Sequence, residues 1–458
     1  MDEMKLAKKT ENIRHEVLLR LLKAVNVYYN VTPFVVAWYY YFNARLASSY
    51  FIKGNLTVIL IYTVLYCVFG KTYDAFLVSH YRIFDVVSSQ SLAAFLSDAI
   101  MYAVLFLLVK GFPNILVFLM MYVVQVSLSM IWTALVHSIY FKWFPAKRSV
   151  IVYDLREGME NLIREYGLEK KFRIIRTVKA GECVSDLSVL DDAEIVFVSG
   201  VHSHERNIIL KHCLYEGKMV YLIPRVGDVL MSSAKSLHMF HLPMMRVSRY
   251  KPDPFYRVVK RTFDIVFSLL ALIVTLPVTI IVAIAIKASD GGPVFYRQER
   301  LTLNGKKFMI HKFRSMKVDS ESDGVARLST GSADDRVTSV GRVIRKCRID
   351  EIPQFIDILA SNLSIVGPRP ERPEIAAEYE KEMPEFSLRL QAKAGLTGFA
   401  QVYGKYNTSP YDKLQMDLMY IAHASVLEDF RICFATVKIL FAPDSTEGVD
   451  EGQTTAMD

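Results

Sequence analysis

The stretch KRTFDIVFSLLALIVTLPVTIIVAIAIK, residues 260–287, decides how the chain is organised. Between Phe263 and Ile286 the only charge is Asp264. A helix of that length, rising ~1.5 Å per residue, is long enough to cross a bilayer. Two features oppose a simple crossing. Pro277 falls inside the run, where it removes a backbone hydrogen bond and bends a helix. Both flanks are basic, with Lys260 and Arg261 before the run and Lys287, Arg297, Arg300, Lys306 and Lys307 after it. Excess Lys and Arg mark cytoplasmic flanks. A re-entrant helix over 263–286, turning at Pro277 and returning to the leaflet it entered, satisfies both features. Everything after residue 287 then stays on the cytoplasmic side.

Upstream, residues 1–145 read as transmembrane helices. The clearest span is Phe112 to Phe141, which has no charged residue, carries Pro113 near its first turn and ends at Lys142, Lys147 and Arg148. Val25 to Phe42, Leu56 to Val78 and Leu92 to Val109 bring the expected number to four. An even number returns the chain to its starting side, and the lysines at 5, 8 and 9 and the cluster at 142–148 both suit the cytoplasmic face. The N-terminus lacks an apolar core ending in a small-residue cleavage site, so no cleaved signal peptide is expected. Hydrophobic residues make up 52% of the 458, too many for one soluble domain, while the C-terminal part is too charged to lie wholly in a membrane. The net charge of +8 sits beside apolar segments, which suits anionic lipid head groups and phosphorylated substrates and argues against a nucleic-acid track. Cys67, Cys183, Cys213, Cys347 and Cys433 lie far apart without C-x-x-C spacing, against a zinc site or a disulfide framework.

Residues 146–256 change character. Short apolar runs at Val150–Tyr153, Ile195–Val198 and Val220–Ile223 alternate with helical spacing at Met159–Tyr166 and His204–Tyr215. This predicts a small Rossmann-like α/β domain. The turn DLREGMENL after the first strand offers one glycine where a dinucleotide fingerprint needs three, so the domain is expected to be degenerate and regulatory.

Residues 257–445 form the remaining domain, polar and helix-rich after residue 287, and 446–458 form an acidic tail expected to be disordered. Phe386–Leu390, Leu414–Ile421 and Phe430–Phe441 have amphipathic spacing, open to lying on a membrane surface or to covering the domain core. Within this domain VIRKCRIDEIPQFIDIL sets Asp350 and Glu351 directly before Ile352-Pro353, and proline favours the first turn of a helix. Taken alone, an Asp-Glu pair there is an N-cap with an acidic first turn. Its company is unusual. Basic residues recur at Lys312, Arg314, Arg342, Arg345, Lys346 and Arg348, and Gly367-Pro368-Arg369-Pro370 holds one arginine in a proline-stiffened loop suited to a pyrophosphate. Carboxylates and arginines together describe a phosphoryl-transfer site with Mg²⁺.

The strings KRTFDIVFSLLALIVTLP, GGPVFYRQER, HKFRSM, VGRVIRKCRIDEIPQFIDIL, LSIVGPRPERPE, KAGLTGFAQVYGKY and DKLQMDLMYI run in order from about Lys260 to Leu440. Over that stretch the chain resembles the bacterial sugar transferases, the monotopic phosphoglycosyl transferases. The preceding spans and α/β segment look like the large, polysaccharide-initiating subgroup. The resemblance implies that Asp350 is a nucleophile attacking the β-phosphorus of a UDP-sugar, releasing UMP and forming an aspartyl phosphosugar that undecaprenyl phosphate then takes up. It implies Glu351 as the Mg²⁺ ligand and Lys312, Arg314, Arg345, Pro368 and Arg369, with Arg389 and Asp417, as the substrate pocket. The helix kinked at Pro277 would anchor the site at the depth of the lipid phosphate. Phe399 stands where the family often has tryptophan and Ala394 where it often has proline, departures that leave the acidic pair untouched. A membrane glycosyl transferase releasing UDP, and a non-catalytic membrane scaffold sensing nucleotides through 149–250, are the alternatives. The α/β domain and the bundle also offer surfaces for a homodimer.

Overall fold

The computed structural model describes residues 2–46, 50–109, 111–318, 336–404 and 408–440; the acidic tail at 446–458 lies outside them. Two compact units divide the chain, Met1–Ile223 and Pro224–Asp458.

The first unit begins with four helices, α1 (Asp2–Ala37), α2 (Ile52–Thr72), α3 (Ile83–Val109) and α4 (Ile115–Trp143). The charge-free run starts α4 after Pro113, and the Asn114 side chain accepts a hydrogen bond from the Leu116 amide as its N-cap. α2, α3 and α4 are each long and apolar enough to cross a membrane. Large side chains such as Leu60, Leu107, Leu119, Val123 and Leu135 point outward, exposed in the unit, as a lipid-facing surface requires. The four-span expectation needs one correction. The first expected span, Val25–Phe42, is helical and ends in a short π-helical turn, Trp38–Phe42. It is not among the four helices apolar enough to cross, and the fourth of those is Pro254–Asp290 in the second unit. The reason is that Asn26 and Asn30, fully buried, face the bundle interior. Phe34, Trp38, Phe42, Tyr62, Met101 and Leu105 close the core there, with the Phe34 and Tyr62 rings stacked 4.0 Å apart.

After the bundle, β1 (Lys147–Tyr153), β2 (Phe172–Lys179), β3 (Ile195–Ser199) and β4 (Met219–Leu222) form one parallel sheet in the order β2-β1-β3-β4. Between them run α5 (Met159–Glu165), α6 (Ala180–Ser185) and α7 (Ser203–Tyr215). β3 is buried along its whole length, as expected of a parallel strand covered on both faces.

In the second unit, α8 (Val226–Ser232) contributes Val226 and Val229 to the core. Residues 224–256, at the end of the stretch read from sequence as α/β, thus belong to this compact unit. An exposed hairpin, β5 (Lys235–Met239) and β6 (Leu242–Arg246), leads to the long helix α9 (Pro254–Asp290). The remaining elements are β7 (Phe295–Leu301), β8 (Lys307–Phe313), α10 (Ser339–Lys346), α11 (Gln354–Leu359), β9 (Ser364–Val366), α12 (Pro373–Glu382), β10 (Gly395–Thr397), α13 (Phe399–Tyr403), α14 (Pro410–His423) and α15 (Val426–Leu440). Among the described residues of this unit, β7 pairs with β8 and β9 with β10, besides the exposed hairpin. The three amphipathic stretches turn their apolar faces inward: Phe386, Leu414, Leu418, Ile421 and Ile432 all belong to the core, so they cover it.

α9 runs helically through Pro277, and both of its ends bear on this same unit. Near its start, Arg261 donates to the Ile358 and Leu359 carbonyls at 2.7 and 2.8 Å, and the buried Asp264 accepts from the Ser364 hydroxyl and the Ile365 amide. Near its end, Val282 and Ile286 pack with Phe313 and Ile344, and Asp290 pairs with both terminal nitrogens of Arg314. Between these ends Leu270, Ile273, Val274 and Ile281 stand exposed.

Candidate functional site

Asp350 and Glu351 occupy a 3-10 turn, Ile349–Glu351, entered through Arg348 in the left-handed region at φ 56°. The turn leads through Ile352 and Pro353 into α11. Neither carboxylate caps a helix: the residue before the turn is Arg348, the residue before α11 is Pro353, and no side-chain cap bond forms at either. The ordinary capping role therefore does not explain the pair.

Asp350 is buried, 8% exposed. Glu351 accepts a hydrogen bond from Lys312 Nζ at 2.8 Å and faces Arg369 at 3.7 Å. Burial, and after it the charge of Glu351, raise the Asp350 carboxyl above the usual aspartate range, although Lys312, Arg345 and Arg348 pull the other way. Burial also opposes ionisation of Glu351, but there Lys312, Arg369 and Arg348 win and hold it well below the usual glutamate range. One carboxylate is thus locked as an anion among cations, while its neighbour is poised and desolvated. Such an arrangement receives anionic groups on its cations and presents one reactive oxygen to them.

The arginine facing Glu351 is preorganised by its backbone. In the segment 366–371, Lys260 Nζ donates to the Val366 carbonyl at 2.9 Å, the Gly395 amide to Pro368 at 2.9 Å, Arg389 to Arg369 at 2.9 Å, Arg300 to Pro370 at 3.0 Å and the Leu301 amide to Glu371 at 3.0 Å. Gly367 and Gly395 meet so closely that a Cβ on either would collide with main-chain atoms of the other segment. With the carbonyls of this loop so pinned, the backbone that carries Arg369 is fixed before any ligand binds.

Among the residues expected at the site, the structure brings Lys312, Arg345 and Arg369 to the acidic pair, with Pro368 in the pinned loop. The other expected residues stand elsewhere. Arg314, 6% exposed, pairs with Asp290 and donates to the Pro293 carbonyl at 2.7 Å, so it braces the end of α9. Arg389 and Asp417 form a buried ion pair at 2.6 Å, joined by Glu371 at 3.5 Å. They support the Arg369 loop from behind. Pro277 lies within α9. Not expected from the sequence were Arg300, Glu371 and Lys260, which brace that loop. Each lies in an already charged string, YRVVKRTF, FYRQERL or GPRPERPE, where local spacing does not single it out.

Four described helices are long and apolar enough to cross a membrane, and the second unit carries a pair of carboxylates ringed by cations. Residues 255–443 match the family described as bacterial sugar transferase. The chain is similar to the UDP-N-acetylgalactosamine-undecaprenyl-phosphate N-acetylgalactosaminephosphotransferase of Aeromonas hydrophila, 34% identical over 234 residues, 50% of this chain and 54% of that protein. It is also similar to the UDP-glucose:undecaprenyl-phosphate glucose-1-phosphate transferase of Escherichia coli (strain K12), 38% identical over 223 residues, 48% of each chain. A third relative, the exopolysaccharide production protein PSS of Rhizobium leguminosarum bv. phaseoli, is 38% identical over 191 residues, 39% of this chain and 94% of that protein. The chain belongs to the bacterial sugar transferase family. It spans about half the length of the first two relatives.

Proposed function

We propose that the protein transfers a hexose-1-phosphate from a UDP-sugar to undecaprenyl phosphate and so starts the assembly of an exopolysaccharide or capsule glycan at the bacterial cytoplasmic membrane. The observation that carries this is the buried Asp350 beside a Glu351 held by Lys312 and Arg369. An Asp350 carboxylate oxygen attacks the β-phosphorus, the bond from that phosphorus to the bridging oxygen breaks, and UMP leaves with the electron pair. A phosphate oxygen of the lipid then attacks the same phosphorus and the Asp350 carboxylate departs. Lys312, Arg345 and Arg369 neutralise the oxygens of the transferred group, and the pinned 366–371 loop keeps Arg369 aligned.

The residues present fit Mg²⁺. This ion is commonly held by one or two carboxylates plus substrate phosphates, and a divalent cation relieves the like-charge pressure that Glu351 exerts on Asp350. Glu351 would hold it, and bound Mg²⁺ offsets charge on the phosphoryl group. The test is a panel of UDP-sugars with undecaprenyl phosphate. UMP is the expected nucleotide product, chelation by EDTA is expected to stop its release, and added Mg²⁺ to restore it. UDP as the main product would show transfer of the sugar alone and end this reading.

Re-entry of α9 belongs to the same proposal. From Asp264 to Ile286 a straight helix rises ~33 Å, about the ~30 Å of a hydrocarbon core, which would put its ends on opposite faces. Docking of both ends on one unit supports a helix that returns to the cytoplasmic side. Single cysteines introduced at the exposed Arg257 and Ser289 should both react with an impermeant reagent from the cytoplasmic face. Labelling from opposite faces would mean a crossing helix.

A further inference from the structure

Four buried residues, one from each helix of the N-terminal bundle, are linked by hydrogen bonds in its interior, Asn30 on α1 through its main-chain carbonyl and Tyr62 on α2, Asp98 on α3 and Gln125 on α4 through their side chains. The Tyr62 hydroxyl donates to Asp98 Oδ1 at 2.7 Å. Gln125 Nε2 donates to the Tyr62 oxygen at 2.7 Å and to the Asn30 main-chain carbonyl at 2.8 Å. None of the four is more than 5% exposed. Yet three oxygens of this group, Asn30 Oδ1, Asp98 Oδ2 and Gln125 Oε1, are buried and accept no hydrogen bond from the described residues.

A second polar layer on the same helices shows that this is not how the bundle treats polar groups in general. Tyr66 donates to Asn26 Oδ1, Asn26 Nδ2 to the Tyr29 oxygen, Tyr29 to Gln90 Oε1, and Gln90 Nε2 to the Ala75 carbonyl, at 2.6 to 3.0 Å. The side chains of Asn26, Tyr29, Tyr66 and Gln90 are linked in series and act as interhelical glue. The Asp98 layer instead leaves one carboxylate oxygen and two amide carbonyl oxygens, all acceptors, without a donor among the described residues.

A carboxylate within a membrane bundle is costly without a counter-charge, and the contacts of Asp98 are a tyrosine hydroxyl and an amide, not a lysine or arginine. A proton on Oδ2 would serve one amide oxygen and leave the other unpaired. A divalent ion would leave an uncompensated positive charge in the bundle. A small monovalent cation bound by hard oxygens matches both the charge and the donor set. We propose that the bundle binds one Na⁺ through Asp98, Asn30 and Gln125, with Tyr62 holding the other carboxylate oxygen, and that the ion ties the four helices together.

The test is thermal unfolding of the full-length protein in detergent at pH 8, with NaCl replaced stepwise by choline chloride at constant ionic strength. The melting temperature should rise with Na⁺ and saturate as for a single site. Asp98→Asn should abolish the response, and Gln125→Met should shift its midpoint to at least roughly tenfold more Na⁺. If Asp98→Asn does not fold, Gln125→Met decides. A melting temperature indifferent to Na⁺, a response unchanged in either variant, or a stabilisation in choline that follows acidification alone would each overturn the proposal, the last by assigning the site to a proton.

Discussion

Asp350→Asn is expected to lower sugar-phosphate transfer by at least about 10⁴-fold, the scale seen when a covalent nucleophile is removed from an enzyme whose binding groups remain. The amide keeps the shape of the carboxylate in a pocket where the native side chain is 8% exposed, so packing is preserved and only the attacking oxygen is lost. Lys312 and Arg369 still hold Glu351, and the cations that receive the donor stay in place. Binding of the UDP-sugar should therefore change little while turnover disappears. Stability provides a second readout. Burial and the charge of Glu351 both disfavour an ionised Asp350 in the fold, so the neutral amide should leave the melting temperature unchanged or raise it, as is common where function holds a group under electrostatic pressure. Release of one UMP per enzyme in the absence of lipid acceptor should be seen with the native chain and not with the variant. Full turnover by Asp350→Asn would rule out the covalent route.

The cationic company of the Asp350–Glu351 pair was partly legible because Arg345 and Arg348 lie beside it in sequence, while Lys312 and the Gly367–Pro370 loop are brought to it by the fold. The span ending near Phe141 was legible for a similar reason, since absence of charge over a membrane's width has few other physical explanations. What could not be read were pairings set by tertiary distance. Arg314 and Arg389 look in sequence like further phosphate ligands, yet Asp290 and Asp417 neutralise them, and nothing local in either string tells a neutralised arginine from a free one. β2 escaped because it is an edge strand with Arg173 and Arg176 among its apolar residues, so its alternation is blurred by solvent-facing charge. α1 falls short of the hydropathy of the other apolar helices because its buried stripe is partly amide, although it packs in the bundle interior.

Arg389 offers the sharper test of how much of the site is support and how much is contact. The residue is 4% exposed, and its guanidinium pairs with Asp417 and Glu371 and donates to the Arg369 carbonyl. Arg389→Met should cost on the order of 3–5 kcal/mol, because it leaves the 1% exposed Asp417 buried without its partner. A residue that merely touched nucleotide would instead raise KM and leave the melting temperature alone. The double variant Arg389→Met with Asp417→Leu should recover much of the loss, since it removes both charges together. Its activity should stay low, as Arg369 has lost the donor that fixes its carbonyl. The penalty also has a pH signature. Burial, against the pull of Arg389, raises the Asp417 carboxyl to about 6 in the native protein, above its value in an unfolded chain, so the fold favours its protonated form. Removing Arg389 takes away the main influence holding that value down. The gap in melting temperature between Arg389→Met and the native protein should therefore narrow as pH falls from 8 towards 6, where a neutral Asp417 no longer needs a counter-charge. A gap that stays constant or widens over that range would show that the cost of losing Arg389 lies in packing rather than in the unpaired carboxylate.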